Sequence, residues 1–298
     1  MDYIFLFTAV FCFSGQFAFT KLYQTKSGTE IFPSLIFSLL SGVFSLILFA
    51  VLCGFTISFN WFSFLMAAGK MLSVVIYTII SFKMMSMGGV AIYTMFVMLG
   101  GMIVPFLYGI IFLDEQITLM KVIGMVLLLV SLIVPEIKKE KGEKQNSKWF
   151  LLLGILVFFA NGAVGVFTKV HQISEYAISS VEFSFWASLI NVIAVFALVL
   201  GVSMLKKDKA LILNEVKNAM PKWWIILLFA LASQGGALFE LIAAKTIDSV
   251  ILFPVTSGGT IVVSAIFGSL FFKEKPNKLV IISLAITLFA TVLFVLLF

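Results

Sequence analysis

The sequence is a succession of long apolar runs that are separated by short polar connections. Each run is about 18–25 residues long, which is the length a helix needs to cross a hydrocarbon core of roughly 30 Å. Only helices and closed barrels can span lipid, because every buried backbone N–H and C=O group must find a partner within the protein. The runs are continuous rather than alternating in polarity, which indicates helices. We therefore predict an all-α integral membrane protein.

The composition argues against a soluble protein and against several kinds of site. Hydrophobic residues make up 62% of the chain and charged residues only 11%, whereas soluble domains carry about 25% charged residues. The chain has two cysteines, Cys12 and Cys53, and one histidine, His171. We therefore expect neither a metal site nor a disulfide framework, and no cofactor. The net charge of +6 comes from lysines in the connections, so we expect anionic lipid rather than nucleic acid as their partner.

Ten membrane spans are predicted, with ends that are uncertain by a few residues. They are 3–20, 33–53, 60–82, 88–112, 117–135, 149–168, 179–203, 223–244, 249–271 and 278–297. The first span lacks a positively charged leader, so we expect it to be retained rather than cleaved as a signal peptide. The polar segment 206–222 predicts a surface amphipathic helix through Leu211, Leu213 and Val216. The expected location is a cell membrane, the inner or plasma membrane of a bacterium.

The charged stretch 136–148 (EIKKEKGEKQNSK) predicts a solvated linker between two halves of five helices each, 1–135 and 149–298. The halves match each other in two registers. The first register superposes residues 4–24 on 152–172, including Thr20, Lys21 and Gln24 on Thr168, Lys169 and Gln172. The second register superposes residues 100–115 on 259–274, including Gly100, Gly109 and Glu115 on Gly259, Gly268 and Glu274.

Five helices per repeat have a geometric consequence for the second half of the chain. An odd number of spans places the second repeat upside down in the membrane, which is the plan of many secondary transporters. Such a plan offers two pseudo-equivalent arrangements of one half against the other, as alternating access requires. We therefore expect ten transmembrane helices in an inverted 5+5 repeat, and a carrier as the function.

The chain also resembles the drug/metabolite transporter superfamily, specifically its EamA-type ten-helix members. The resemblance rests on the 5+5 arrangement and on the segments GGMIVPFLYGIIFLDEQ (100–116) and GGTIVVSAIFGSLFFKEKP (258–276), which end spans four and nine. It implies a central cavity lined by spans one, three, four, six, eight and nine, with export or exchange of small metabolites or drugs. Family members usually carry a basic residue near the start of spans two and seven. This chain has none there and contains no arginine, so no function of that residue is carried over.

The orientation predicted from charge differs from the orientation that the resemblance implies. Most of the 20 lysines lie in the connections after spans one, three, five, seven and nine. The opposite side has Lys121, Lys169 and Lys245. The positive-inside rule therefore places both termini outside the cytoplasm, whereas family members typically have both termini inside. We follow the charge bias here.

Lys70 is the first candidate for a functional residue, because it lies about ten residues into span three, near the middle of the bilayer. A lysine there costs at least ~2.5–3.5 kcal/mol on insertion scales. The functional interpretation is a site for an anion or carboxylate, or a proton-linked site. The alternative is a structural ion pair with Glu240. Ser73 and Tyr77 fall on the same helical face as Lys70 and extend it as a polar stripe.

Glu240 and Glu182 are the candidates for the carboxylate of a proton-coupled exporter. The other predicted substrate-binding residues are polar groups within spans, whose alternative role is hydrogen bonding between helices. They are Gln16, Tyr93, Thr94, Asn161, Gln234, Thr256, Ser257 and Thr260. Glu115 and Glu274 are expected to structure helix ends or loops, and His171 is expected at the membrane interface.

A secondary carrier of small molecules, driven by a proton or exchange gradient, is the leading functional hypothesis. No GxxxxGK[ST] nucleotide-binding motif is present in the sequence. The alternatives are a channel or a lipid-binding or flipping protein, and, less favoured, a membrane-embedded enzyme, because one histidine and scattered carboxylates do not form a catalytic cluster. A homodimer is compatible with the sequence. The substrate stays open: Lys70 favours anionic or zwitterionic metabolites, whereas the many Phe and Met residues favour apolar drugs.

Overall fold

The computed structural model describes residues 2–28, 30–86, 90–134, 148–206, 210–273, 275–276 and 278–296. Within these ranges the chain forms helices and connecting turns, and no strand. The predicted linker 136–148 lies outside the described residues except for Lys148, which begins a helix. The structure therefore agrees with an all-α membrane protein.

The described part of the chain forms eleven α-helices and one short 3-10 helix, Met220–Lys222, between the eighth and ninth of them. They are α1 (Asp2–Ser27), α2 (Ile31–Leu52), α3 (Trp61–Ser86), α4 (Val90–Phe112), α5 (Leu119–Ile133), α6 (Lys148–Ile173), α7 (Ser180–Lys206), α8 (Leu211–Ala219), α9 (Trp223–Ala243), α10 (Ser249–Phe272) and α11 (Lys278–Leu296). Each predicted span coincides with a helix. Within the described chain, eight helical segments are long and apolar enough to cross a membrane, with α8 and α9 counted as one; α5 and α11 are shorter apolar helices.

Two helices are longer than the sequence predicted. The spans were expected to end at 20 and 168, but α1 continues to Ser27 and α6 to Ile173. Lys169 was read as a polar residue outside the membrane, yet it is buried against other helices, whereas Ile173 at the end of α6 is exposed. The end of α1 comes at Gly28, whose φ of 81° lies in the left-handed region that terminates helices.

The predicted amphipathic helix is present as α8, which precedes a short 3-10 turn. Leu211 and Val216 pack against an apolar cluster formed by α1, α2, α7 and α9, as expected. Leu213 was predicted to share this apolar face but is 57% exposed. The apolar face of α8 instead includes Ile212 and Ala219, and α8 contacts α2 and α7.

The helices of the two halves pack in matched sets. α1 packs against α9 and α10, and α6 packs against α3 and α4. α3 also contacts α7, and α2 contacts α9. The pairs α2 with α7, α4 with α10 and α5 with α11 complete the core. The first five helices can be exchanged one by one with α6, α7, α9, α10 and α11. This exchange converts the contact of α1 with α9 into that of α6 with α3, the contact of α1 with α10 into that of α6 with α4, and the contact of α3 with α7 into that of α9 with α2. The remaining three pairs are converted into themselves.

Glycines permit two close helix crossings that correspond to each other. A Cβ atom at Gly100 of α4 would overlap the carbonyl group of Phe158 on α6. A Cβ atom at Gly259 of α10 would lie 3.0 Å from the side chain of Val10 on α1. The first register superposes Val10 on Phe158 and the second superposes Gly100 on Gly259. Small residues at these positions allow the helix backbones to approach closely.

Candidate functional site

A cavity with a volume of about 260 Å³ lies between α1, α4, α6, α9 and α10. Six of the residues predicted from the sequence line it: Gln16, Asn161, Glu240, Thr256, Ser257 and Thr260. The remaining lining residues are less polar: Phe13, Phe17, Val97, Met98, Gly101, Val164, Gly165 and Phe253. The cavity thus combines one carboxylate, two amides and three hydroxyl groups with aromatic and aliphatic walls.

The lining residues are paired by the two sequence registers. The first register superposes Phe13, Gln16 and Phe17 of α1 on Asn161, Val164 and Gly165 of α6. The second register, continued by one helical turn, superposes Val97, Met98 and Gly101 of α4 on Thr256, Ser257 and Thr260 of α10. The predicted registers therefore pair lining residues of α1 with lining residues of α6, and lining residues of α4 with lining residues of α10. Glu240 is on α9, which neither register covers.

Glu240 is the ionisable side chain among the described lining residues. It is partly accessible, as expected for a group that faces a cavity inside a protein. The Thr256 hydroxyl lies within hydrogen-bonding reach of the Glu240 carboxylate and of the Leu252 carbonyl oxygen, which is 2.8 Å away. The hydroxyl has one hydrogen, which it donates to Leu252, and it could donate to Glu240 only by giving up that bond.

Two further acceptors on the cavity wall have unused hydrogen-bonding capacity. The Thr260 side-chain oxygen is buried and has no hydrogen-bond partner in the described part of the chain. Pro105 lies inside α4 and has no N–H group, so the Gly101 carbonyl lacks the usual bond from four residues ahead. Thr260 and Gly101 are superposed by the second register. Both residues line the cavity.

Asn161 performs a structural task as well as lining the cavity. Its side-chain nitrogen donates to the Val97 carbonyl oxygen at 2.7 Å, which ties α6 to α4. A Cβ atom at Gly101 would lie only 2.7 Å from the same nitrogen. The alternative role of hydrogen bonding between helices, considered from the sequence, is thus present at Asn161.

Lys70 does not line this cavity as the described residues define it. Its side chain is 8% exposed, and its ammonium group lies 5.6 Å from the ring centroid of Phe183 on α7. Lys70 and Glu240 act on each other electrostatically, but no direct ion pair joins them in the described structure. The predicted contact between Lys70 and substrate stays a prediction, and the direct ion pair was wrong. Ser73 donates to the Gly69 carbonyl of its own helix at 2.9 Å.

The other predicted residues lie away from the cavity. Tyr77 and Tyr93 pack with Met84 and Phe150 in an apolar cluster between α3, α4 and α6. They are displaced because an aromatic ring next to that cluster gains more apolar contact than it would in a polar cavity. Gln234 is on α9 but outside the described lining, and the side chain of Thr94 lies outside the described residues.

A buried ion pair holds one end of the helical bundle. Glu115, in the connection after α4, accepts hydrogen bonds from the backbone N–H groups of Ser249 and Val250 at 2.9 and 3.0 Å. It thereby caps the first turn of α10, a helix whose own cap residue Asp248 makes no side-chain bond. The Lys169 ammonium lies 3.6 Å from Glu115 and both side chains are 6% exposed. The predicted helix-end role is confirmed for Glu115, whereas Glu274 lies outside the described residues.

Lys169 also links α6 to the start of α10. Its ammonium donates to the carbonyl oxygen of Ile247 at 2.7 Å. Lys169 was predicted to follow the end of its span, and its bond to Ile247 was not predicted. The repeated Thr-Lys pair, Thr20-Lys21 and Thr168-Lys169, was the available signal, since it showed that a lysine recurs at this point of the fold.

His171 is fully buried rather than interfacial, which corrects the sequence-based expectation. Its Nδ1 atom lies 2.9 Å from the side-chain nitrogen of Gln172, and its Nε2 atom lies 3.0 Å from the Ser63 hydroxyl oxygen. An amide nitrogen can only donate, so Nδ1 accepts and Nε2–H donates to Ser63. The ring stacks on Phe183 with a centroid distance of 3.9 Å. His171 therefore joins α6 to α3 and α7.

Glu182 has a structural role at the same end of the bundle. Its carboxylate accepts from the backbone N–H groups of Ser58 and Ser179 at 2.9 and 3.2 Å. It also accepts from the Ser179 hydroxyl at 2.7 Å. All of its described contacts lie in the connections, so nothing places it at the cavity. We refer to this end, which includes Ser58, Glu115, His171 and Ile247, as the lysine-poor end.

The opposite, lysine-rich end is held in a different way. The ammonium groups of four lysines lie over aromatic rings of other helices there, at 4.8–5.9 Å from the ring centroids. The pairs are Lys21 with Phe272, Lys26 with Trp224, Lys206 with Phe32, and Lys222 with Tyr23. Cation–π contacts of exposed lysines are worth about 0.5–1 kcal/mol each and are less directional than buried hydrogen bonds.

Comparisons with known proteins support the fold and carry no statement about function. Neither a profile of a known protein family nor a curated protein matches the sequence. One solved structure superposes with a TM-score of 0.71 at 14% sequence identity, over 99% of this chain and 96% of that chain. A likeness at this identity shows that the two chains share a fold over nearly their whole length.

Proposed function

We propose that this protein is a secondary active transporter that moves small molecules across a bacterial membrane by alternating access. In this proposal all ten long helices span the membrane as an inverted repeat of residues 1–135 and 149–298. The observation that carries it is the pairing of the cavity walls by the two registers. A site built from equivalent positions of inverted halves can be presented to either side of the membrane by the same motion.

The two unlike ends suggest which face of the carrier is open. The lysine-poor end is closed by a buried ion pair, a capped helix and a buried histidine. At the lysine-rich end, cation–π contacts accompany an apolar cluster formed by α1, α2, α7 and α9. Separation of contacts of these two kinds does not break a buried charge pair. We propose that substrate enters from the lysine-rich end, which the positive-inside rule assigns to the cytoplasm. This access favours export or exchange, driven by a proton or substrate gradient.

Labelling of a cysteine in the cavity tests alternating access without knowledge of the substrate. Ser257→Cys would be made in a chain whose native Cys12 and Cys53 are replaced by alanine. We expect a membrane-impermeant thiol reagent to modify Ser257→Cys in both right-side-out and inside-out vesicles, because the site faces each side in turn. Mass spectrometry of the intact protein measures the modified fraction.

Two matched variants make the labelling experiment interpretable. Met98→Cys occupies the position that the second register superposes on Ser257, so we expect the same two-sided labelling. Val199→Cys replaces a residue that is 0% exposed in the core, and it should stay unmodified from either side. Labelling of Ser257→Cys and Met98→Cys from the same single side under all conditions would contradict the proposed function.

A further inference from the structure

We propose that the cavity binds a small organic cation, with its ammonium group at Glu240 and its apolar body between Phe13, Phe17 and Phe253. This inference names the substrate class of the proposed carrier and rests on that function for transport. The binding step itself can be measured separately. The proposal replaces the anion that Lys70 suggested in the sequence, because the structure places Glu240, and not Lys70, on the cavity wall.

The charge of the described cavity wall is the first argument. Glu240 is its ionisable side chain, and no lysine is among the described lining residues. An anionic ligand would meet a carboxylate without a neighbouring lining cation, and charge repulsion in a low-dielectric site is large. A cation would instead gain a charge-assisted hydrogen bond of the stronger kind. The wall therefore selects for positive charge.

Lys70 favours the charged form of the Glu240 carboxyl group, against the larger opposing effect of burial. Its ammonium group acts on Glu240 electrostatically from its place over the Phe183 ring, outside the described lining. It lowers the cost of burying a negative charge. Since the two groups form no direct ion pair in the described structure, Lys70 does not occupy the carboxylate oxygens. The oxygens are therefore available to a ligand.

The unused acceptors fit an ammonium group, which has three N–H donors and no acceptor. Thr260 is 6% exposed, and its hydroxyl oxygen has no hydrogen-bond partner in the described part of the chain. The Gly101 carbonyl is released from its helix by Pro105. Buried polar atoms in proteins are almost always hydrogen-bonded. Glu240, Thr260 and Gly101 thus supply the kind of groups that an amine would satisfy.

The aromatic side chains provide the remainder of the recognition. Phe13 and Phe17 reach the cavity from α1, and Phe253 reaches it from α10. Aromatic faces attract cations and also bury apolar surface. The volume of about 260 Å³ is below the roughly 300–1,000 Å³ of pockets for drug-sized ligands. The geometry therefore favours an amine of metabolite size with a short apolar body over a large lipophilic drug.

Three probes of similar size and different charge test the substrate class on the purified protein. They are 2-phenylethylamine as the cation, 2-phenylethanol as the neutral analogue and 3-phenylpropionate as the anion. Binding is measured by isothermal titration and by thermal stabilisation in detergent, since a ligand that binds only the folded state raises stability. We expect the amine to bind at least tenfold more tightly than either analogue.

Variants assign the binding energy to individual groups. We expect Glu240→Gln to raise the Kd of the amine by about tenfold or more, as is usual for loss of a charged hydrogen-bond partner. Thr260→Val should raise it by a smaller factor, and Glu175→Gln, at an exposed loop position, should leave it unchanged. If Glu240→Gln does not fold, the charge series on the native chain together with Thr260→Val still decides the question.

Several outcomes would overturn the proposal. They include equal affinity for all three probes, tighter binding of 3-phenylpropionate that is lost in Lys70→Met, and an amine affinity that Glu240→Gln does not change. The carrier proposal fails in a distinguishable way. If the amine binds through Glu240 but Ser257→Cys is labelled from one side only, the binding site stands and alternating access does not.

Discussion

Replacement of Glu115 by alanine is expected to lower the free energy of unfolding by about 3–5 kcal/mol, the usual effect of removing one partner of a buried ion pair. The Lys169 ammonium would remain 6% exposed without its counter-charge. The backbone N–H groups of Ser249 and Val250 would also lose their acceptor at the start of α10. Both effects act in the same direction, because one side chain neutralises the lysine and caps the helix.

The change at Glu115 can be measured as a shift of the unfolding transition of the purified protein in mixed micelles. Glu175→Ala is the matched control, because Glu175 is an exposed acidic residue at the same end of the bundle. Its removal should change the free energy of unfolding by less than about 0.5 kcal/mol. The double variant Glu115→Ala with Lys169→Met should recover part of the loss, since no unpaired charge remains. An unfolding transition of Glu115→Ala equal to that of the native chain would show that the pair does not stabilise the fold.

Replacement of Gly100 by alanine is expected to destabilise the fold by about 3 kcal/mol, at the upper end of the range for overpacking. The added methyl group would overlap the Phe158 carbonyl, which is backbone and cannot rotate away. α4 and α6 would have to separate at the point where Gly101 and Asn161 line the cavity. Ligand binding should therefore fall together with stability.

Gly201→Ala provides the matched control for Gly100→Ala. Gly201 is inside α7, and a Cβ atom there would meet no other group within 4 Å. Alanine is favoured over glycine in helices by up to about 1 kcal/mol, so this variant should be unchanged or slightly more stable. Thermal melting of both variants side by side measures the difference. If both melt like the native chain, the close crossing of α4 and α6 does not depend on glycine.

The positions of the helices could be read from the sequence because lipid imposes a length and a polarity on every segment. All ten predicted spans coincide with helices, and the errors are confined to ends such as those of α1 and α6. These errors share a physical cause. A polar residue at a helix end looks solvated when only its neighbours in sequence are known. Lys169 and His171 are buried instead by partners that lie 54 or more residues away in the chain, such as Glu115 and Ser63.

The candidate site was predictable where a polar side chain lies within an apolar helix. Gln16, Asn161 and Thr260 were found in this way, and all three line the cavity. The apolar part of the wall was missed, although the two registers contained it. Each predicted polar residue of α1, α6 and α10 that lines the cavity has a register partner that also lines it, as Asn161 has Phe13 and Ser257 has Met98.

Lys70 shows what the sequence could not determine. Its depth in the membrane was clear, but depth does not fix the direction in which a helix faces. An apolar helix in lipid has little amphipathic character from which its rotation could be read. The direction is set by packing against α6 and α7, and that packing turns Lys70 toward Phe183 rather than toward the cavity wall.

The location of Glu240 outside both registers has a kinetic consequence. In a carrier whose two halves were identical, the two open conformations would be related by two-fold symmetry and would have equal affinity for the ligand. In the proposed carrier, a carboxylate supplied by α9 alone would make them unequal, so we expect different half-saturation concentrations on the two faces of the membrane. Microscopic reversibility then requires the opening and closing rates to differ by a compensating factor, because a protein cannot alter the equilibrium between the two compartments. The presence of this carboxylate in one half only thus predicts that initial transport rates differ between the two directions. The final distribution of ligand between the two compartments stays unchanged.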